Sequence, residues 1–503
     1  MEGNGKRKWW VLGSLTFGIL AISLDMTILN VALPTLAEEL QASTGALQWI
    51  IDSYTLVLAA ILLPAGMLGD RYGRKKFLLA ALIVFGLASA GCALADSSAQ
   101  LIAMRCLLGL GAAFIMPLSM SILPVLFEGE ERTKAMMIWT MANMFGIPIG
   151  PIFGGWLLKH YDWGSVFLIN LPLVAVALLA VGMLLPESRS SSARRPDFPG
   201  ILTSSLGLGG FTYGIIRAGE TSWSDPLALL AIAAGMALLL VFVLWQRRAS
   251  QPLIELDLFR SSRFTWGAIL STMANFAMFG IIFALPQFFQ AVQGADPLTT
   301  GLRLLPLIGG VILGAKAAQS LLARAGTRTM IACGFAALTA GLAAGALTTA
   351  DSGFGFAAVW TTVAGIGLGM ALPTSMDAAL GELTAERSGV GSALITALRQ
   401  FGGSLGVALL GAALNATYRS RLALGDLPEA AVEKAQKSVA AGMAAARAVG
   451  SEPLLQSVKH SFTGGMGVML GLCGGITLLG IAMALAFLPK QSARLGTARE
   501  RSV

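Results

Sequence analysis

Along the chain, apolar stretches of about twenty residues alternate with short breaks marked by charge, proline or glycine. That pattern predicts fourteen helices, over 9–31, 47–69, 77–95, 100–126, 135–157, 163–185, 199–217, 226–245, 264–290, 301–322, 330–349, 354–380, 390–415 and 461–488. Each is close to the roughly twenty residues that cross a bilayer, where a helix satisfies every backbone group within its own segment. The even number places both ends of the chain on one side. The first stretch follows Lys6, Arg7 and Lys8 like a signal peptide, but no small-residue cleavage site follows. It continues through Asp25 into Pro34 and is read as the first span.

The basic residues give the pattern a direction. With the N-terminus inside, the inner segments hold Lys6, Arg7, Lys8, Arg71, Arg74, Lys75, Lys76, Arg132, Lys134, Arg189, Arg194, Arg195, Arg247, Arg248, Arg260, Arg263, Arg324, Arg328, Arg387 and, in the tail, Lys490, Arg494, Arg499 and Arg501. The short outer loops hold Lys159 and Arg217. This asymmetry predicts that both termini are cytoplasmic. The long outer segment 417–460 is exempt from that rule, and its Ala-, Glu-, Lys- and Met-rich run over 428–449 predicts a helical hairpin lying on the outer face.

Composition removes several classes of protein. Of 503 residues, 55% are apolar and 12% charged, against about 25% charged in soluble domains. Those roughly 277 apolar residues suffice for about fourteen spans. The net charge of +8 is accounted for by the inner segments, so nucleic acid is not called for. Cys92, Cys106, Cys333 and Cys473 all lie in apolar runs and read as reduced packing residues. His160 and His460 sit near outer helix ends, and there is no metal-ligand cluster and no phosphate-cradling Gly-x4-Gly-Lys-Ser/Thr. An enzyme, a cofactor and direct ATP drive are therefore not expected.

The chain also repeats. Leu68-Gly-Asp-Arg-Tyr-Gly-Arg74 closes the second span and Leu322-Ala-Arg-Ala-Gly-Thr-Arg328 closes the tenth; Glu131-Arg132 and Glu386-Arg387 precede the fifth and thirteenth. The expected organisation is a six-helix bundle over 1–185, two inserted helices within 186–263, a second six-helix bundle over 264–488 that includes the outer hairpin 417–460, and a cytoplasmic tail over 489–503. Duplicated bundles with a site between them are a transporter architecture.

Five ordered motifs resemble the major facilitator superfamily, and within it the fourteen-helix drug:proton antiporters. They are Leu24-Asp-Met-Thr-Ile-Leu-Asn-Val-Ala-Leu-Pro34, Gly66-Met-Leu-Gly-Asp-Arg-Tyr-Gly-Arg-Lys75, Leu101-Ile-Ala-Met-Arg-Cys-Leu-Leu-Gly-Leu-Gly111, Gly146-Ile-Pro-Ile-Gly-Pro-Ile-Phe-Gly-Gly155 and Phe167-Leu-Ile-Asn-Leu-Pro172. The resemblance implies an all-α integral membrane fold and a multi-pass exporter of the bacterial cytoplasmic membrane. It would export amphipathic drugs or toxic organic compounds in exchange for protons, by alternating access and as a monomer among membrane lipids. A narrow exporter of one antibiotic or metabolite, and a non-transporting receptor or scaffold on the same fold, are the alternatives.

An ionisable residue in the membrane costs about 2.5–3.5 kcal/mol and needs a partner or a task. Asp25, Asp52, Arg105, Lys316, Asp377 and Arg399 all fall inside the predicted spans. Asp25 suits a carboxylate that gains and loses a proton in each cycle. The resemblance places Arg105 facing it, either as its tuning partner or as half of a fixed ion pair. Asp52 shares a helical face with Gln48 and Trp49, which suits an organic cation or, alternatively, an interfacial anchor. Lys316 and Asp377 are expected to pair, for structure or for coupling.

Gly66, Asp70, Arg71, Gly73 and Arg74 form the gating loop, with Asp70 and Arg71 implied to latch the inner ends of the two halves. Gly146, Pro148, Gly150, Pro151 and Gly154 form the antiporter motif, expected to bend the fifth helix and pack it closely. The stripe Met137, Met141, Met144 and Phe145 suits either varied apolar substrates or plain packing. Asn275 and Phe279 on the ninth span and Gln400 on the thirteenth complete the expected substrate-binding set. Cation-exporting relatives carry extra carboxylates in the tenth and thirteenth spans; the stretches 307–311 and 393–400 have none. Neutral, zwitterionic or monocationic compounds fit better than dications.

Overall fold

The computed structural model describes residues 2–189, 197–381, 383, 385–423 and 428–489, and among them there are helices and connections but no strand. The N-terminal helices are α1 (Glu2–Glu39), α2 (Thr44–Tyr72), α3 (Arg74–Ala93), α4 (Ser98–Leu126), α5 (Gly129–His160), α6 (Ser165–Leu168) and α7 (Asn170–Leu184). Then come α8 (Phe198–Glu220) and α9 (Pro226–Gln246). The rest are α10 (Ser262–Gln287), α11 (Pro297–Arg303), α12 (Leu305–Gly345), α13 (Phe354–Leu380), α14 (Ala385–Arg421), α15 (Glu429–Lys437), α16 (Val439–Val449) and α17 (Glu452–Phe487).

Helix lies at all fourteen expected places, and twelve of the described helices are long and apolar enough to cross a membrane. The other two places hold α5, of 32 residues, and α8, of 23. Several boundaries differ from the apolar pattern. The sixth stretch is broken into α6 and α7, and the last helix starts nine residues early, at Glu452, where Ser451 caps it and Pro453 occupies the first turn. Gly326, at φ 77° and ψ 157°, separates the tenth and eleventh stretches inside α12, a backbone conformation that glycine adopts without a Cβ clash. Residues 490–503 of the expected tail, and 190–196 before α8, lie outside the described residues.

Two hydrophobic cores divide the helices. One is built from α1 to α7 around Leu33, Tyr54, Phe85 and Leu108, the other from α10 to α17 around Phe288, Phe335, Trp360 and Leu414. Phe283, Ala397 and Val407 reach into the first core, and Val31 into the second. The inserted α8 and α9 stand outside both, with Ile215 and Ile216 packed on Ala408 and Ala412 of α14.

The halves meet through α2 against α14 and α5 against α11. Among the described residues, four hydrogen bonds and one ion pair join the halves at the end opposite the chain termini. Gln48 Nε2 donates to Val407 O and Ala408 O at 2.8 and 2.9 Å, Gln290 Nε2 to Val31 O at 2.8 Å, and Thr44 Oγ1 to Lys437 O at 3.3 Å. Lys159 Nζ and Asp296 Oδ2 add an exposed contact of 3.7 Å. Nearer the termini, Met137 and Met141 precede Pro151 and Gly155 by about four turns, so they point the same way. Pro151 and Gly155 abut Gly301 and Leu298 at the α11 end, whereas Met137 and Met141 are 53% and 51% exposed. The face of α5 that is covered at the α11 end is open at that level.

Candidate transport site

Asp25 and Arg105 meet in the middle of the N-terminal bundle. Arg105 Nη1 donates to Asp25 Oδ2 at 2.5 Å, and both side chains are almost fully buried. The guanidinium also donates through Nε to Ile50 O at 2.9 Å and stands 4.4 Å from the centre of the Tyr54 ring. Asp25 Oδ1 accepts from Asn170 Nδ2 at 3.2 Å, Asn170 Nδ2 also reaches Ser89 Oγ at 3.1 Å, and Ser89 donates to Phe167 O at 2.8 Å. One hydrogen-bonded chain therefore ties α1, α3, α4 and α7 around a single carboxylate. A buried ion pair is tolerated when its remaining donors and acceptors find partners, and here Ile50, Tyr54 and Asn170 supply them.

The antiporter motif packs on the same stretch of α1 from the opposite face, because residues two apart on a helix are turned about 200° from one another. Gly146, Gly150 and Gly154, spaced four apart on one face of α5, receive α1 between Ser23 and Ile28. A methyl group at Gly146 would collide with Ser23, and one at Gly150 with Thr27. Thr27 Oγ1 donates to Gly146 O at 3.0 Å, and Ser23 Oγ bonds Asn143. These glycines bring two backbones together at the residues that flank Asp25 in sequence. The helix runs unbroken from Gly129 to His160 through Pro151. The side chains of Met144 and Pro148 lie outside the described residues.

The gating loop is tied to its own half. Arg74 Nε donates to Asp70 Oδ1 at 2.7 Å, and Arg71 lies 5.5 Å from the Tyr72 ring centre. Glu187, beyond α7, accepts from the backbone of Lys75 at 3.0 Å and of Lys76 at 3.3 Å. Gly73 turns the chain at φ 128°, and Gly66 approaches Pro117 of α4. Asp70 and Arg71 make no described hydrogen bond or ion pair with the C-terminal half.

Asp52 is fully buried in the seam between α2 and α14, where Ser404 faces it. Neither Asp52 oxygen nor Ser404 Oγ completes a hydrogen bond. Its expected neighbour Trp49 is turned to α8, 6.3 Å from the Tyr213 ring. A solute reaches Asp52 only if the seam parts.

The remaining expected substrate residues do not gather around one cavity. Met141 and Phe145 stand on the exposed face of α5, and Met137, Met141 and Thr140 line an apolar cleft of about 680 Å³ with Trp9. Asn275 is buried, donating to Arg399 O at 2.6 Å, and Phe279 packs against the N-terminal core while lying near Gly403. Gln400 is half-buried on α14. The structure does not bring Lys316 and Asp377 together: both are exposed and no ion pair joins them. Their helices, α12 and α13, meet instead through Gly310, Gly314, Gly365 and Gly369, whose close backbone approach leaves the charged side chains outside the contact.

Reasoning from sequence missed Asn170, Ser89 and Tyr54. Asn170 alone carried a signal, as the polar residue of Phe167-Leu-Ile-Asn-Leu-Pro172.

Comparisons with known proteins agree with this architecture. The Major Facilitator Superfamily profile matches residues 15–407. The tetracenomycin C resistance and export protein of Streptomyces glaucescens is 32% identical over 96% of this chain and 92% of its own length. The multidrug efflux pump LfrA of Mycolicibacterium smegmatis is 32% identical over 92% of each chain, and the methyl viologen resistance protein SmvA of Salmonella typhimurium 31% over 94% of this chain and 97% of its own. Among solved structures, a bacterial homologue of the human lysosomal transporter Spinster, in an inward-facing and unoccupied conformation, aligns with a TM-score of 0.67 at 17% identity, covering 97% of this chain and 99% of that one. The chain belongs to the Major Facilitator Superfamily, as a multi-pass membrane transporter among drug and antibiotic efflux relatives.

Proposed function

We propose that this transporter is a proton-coupled antiporter. It exports amphipathic drugs or toxic organic compounds by alternating access, with fourteen spans and both termini in the cytoplasm. The observation that carries the reading is the Asp25–Arg105 pair buried within one bundle. A receptor or scaffold has no need of an ion pair in the middle of a bundle, where removing either partner is costly. A proton arriving at Asp25 cancels its attraction for Arg105, and the guanidinium keeps Ile50 O and the Tyr54 face as its remaining contacts. The half-bundle thereby changes between two electrostatic states while remaining packed.

Drug enters between the halves from the end carrying the termini, past the Met137 and Met141 face. Asp25 and Arg105 are the coupling residues, while Trp49, Asp52, Met141, Phe145, Asn275, Phe279 and Gln400 contribute contacts as the halves exchange positions. The protein works as a monomer.

The test is drug-driven proton movement in proteoliposomes carrying a pH gradient. Cationic and neutral amphipathic compounds are expected to dissipate the gradient, and Asp25→Asn to abolish exchange while leaving a folded protein. Full exchange in Asp25→Asn removes Asp25 from the coupling role; silence of the native protein towards every compound class sinks the export reading. A second reading, a narrow exporter of one antibiotic, is favoured by the likeness to the tetracenomycin C export protein over 96% of the chain. It predicts a response to one compound class alone.

A further inference from the structure

The inserted helix α8 lies across the seam, touching α14 on one side and α2 on the other. When α2 and α14 part, it can follow only one of them. We propose that α8 moves as part of the C-terminal half, and that Glu220 is the releasable tie holding it to the N-terminal half while the far end is closed. This rests on the alternating-access reading above.

The two contacts differ in kind. Towards α14, Gly219 lies so close to Ala412 that no side chain fits between them. Ile215 and Ile216 are 4% and 1% exposed in a cluster with Ala408 and Ala412. Asn415 Nδ2 donates to Gly219 O at 3.2 Å, so even the last turn of α8 is tied to α14. Close-packed apolar surface of this kind resists separation and slides poorly.

Towards α2 the hydrogen-bonded contact is Glu220. Its Oε1 accepts from Ser43 Oγ at 2.5 Å, and the carboxylate occupies the space left by the missing side chain of Gly45. Ser43 is the N-cap of α2 and accepts from Ala46 N at 3.1 Å. The carboxylate thus faces the positive end of the α2 dipole from a neighbouring helix, a favourable contact at the helix end that water can replace. Trp49 and Tyr213 add a tilted ring contact at 6.3 Å. Trp49 also rests on the edge of the Ile215–Ile216 cluster, so the link to α2 consists of one hydrogen bond and one partly buried ring, against the fully buried small-residue contact with α14.

Two cross-links separate the alternatives, in a background with Cys106 and Cys333 changed to serine. Ser43→Cys with Glu220→Cys ties α8 to α2; Ile216→Cys with Ala412→Cys ties it to α14. With a short, reducible thiol cross-linker, the first pair should lose drug export and regain it on reduction, while the second should export unchanged. Spin labels on the same pairs give a readout independent of transport: the 43–220 distance should broaden or lengthen when the conditions are varied, and the 216–412 distance should stay single. Arrest by the second link, continued export under the first, or a fixed 43–220 distance with a variable 216–412 one would overturn the proposal. Absence of export from the unlinked protein, with the spin-label distances as expected, would count against the export reading and leave the tie supported.

Discussion

Two buried carboxylates stand in this molecule under opposite conditions. Asp25 has a guanidinium on one oxygen and an amide on the other, within a single bundle. Asp52 has no hydrogen bond on either oxygen and lies between the bundles. Both are short acidic side chains in apolar helices, so burial alone does not separate them. What separates them is whether the neighbouring helices supply compensation, as α4 and α7 do, or only present the face of the other bundle. A compensated charge holds one bundle together; an uncompensated one at a seam favours whichever arrangement gives it water or a partner.

The sharpest way to break the contrast is to make Asp25 resemble Asp52. Arg105→Ala leaves Asp25 buried without its cation, and the expected loss is about 3–5 kcal/mol of stability, read as a lowered unfolding midpoint in nanodiscs. A midpoint like the native one would mean that water or another residue takes over the carboxylate. Next comes Gly150→Val, which adds no charge and removes none but drives α5 away from Thr27 and Ile28. Overpacking there should cost about 1–3 kcal/mol and impair coupling with both charges intact. Normal coupling would show that the close approach of α1 and α5 matters only for folding.

Asp52→Asn has the opposite sign of expectation. Removing an uncompensated charge should leave stability equal or higher, while export of cations falls more than that of neutral compounds. Uniform loss across compounds would instead mark Asp52 as part of the seam mechanism. The smallest effect belongs to Asp296, which caps α11 by accepting from Thr299 N at 2.7 Å and lies 3.7 Å from Lys159. The Thr299 backbone bond first, with Lys159 adding to it, holds the Asp296 carboxyl below the ordinary range. Its contribution is therefore present at neutral pH and lost as pH falls through the lowered value. Asp296→Ala should cost about 1 kcal/mol, nearly all from the cap, because the exposed ion pair adds little. A loss that vanishes in high salt would assign the effect to Lys159 instead.

Much of the helix framework was legible because lipid imposes length and apolarity on each span. Asp25 and Arg105 were legible for the same reason, as charges that such a span does not normally contain. Asn170, Ser89 and Tyr54 were not, because a single polar residue in an apolar helix has no period to mark it. Its partner is chosen by packing between segments fifty or more residues apart. The pairing expected of Lys316 and Asp377 failed on the same ground: two charges at similar depth on neighbouring helices can point away from each other. The antiporter motif was read as a bend with close packing, and which α1 residues its glycines face could not be had from spacing.

The chain Ser89–Asn170–Asp25–Arg105 also bears on how a local event becomes a global one. Its members sit on different helices at one level of the bundle, so a change at its centre is distributed sideways, across the cross-section, instead of along any helix axis. On the proposed mechanism, one proton at Asp25 would change how many helices are clamped at that level, the kind of input that a rigid body turns into rotation.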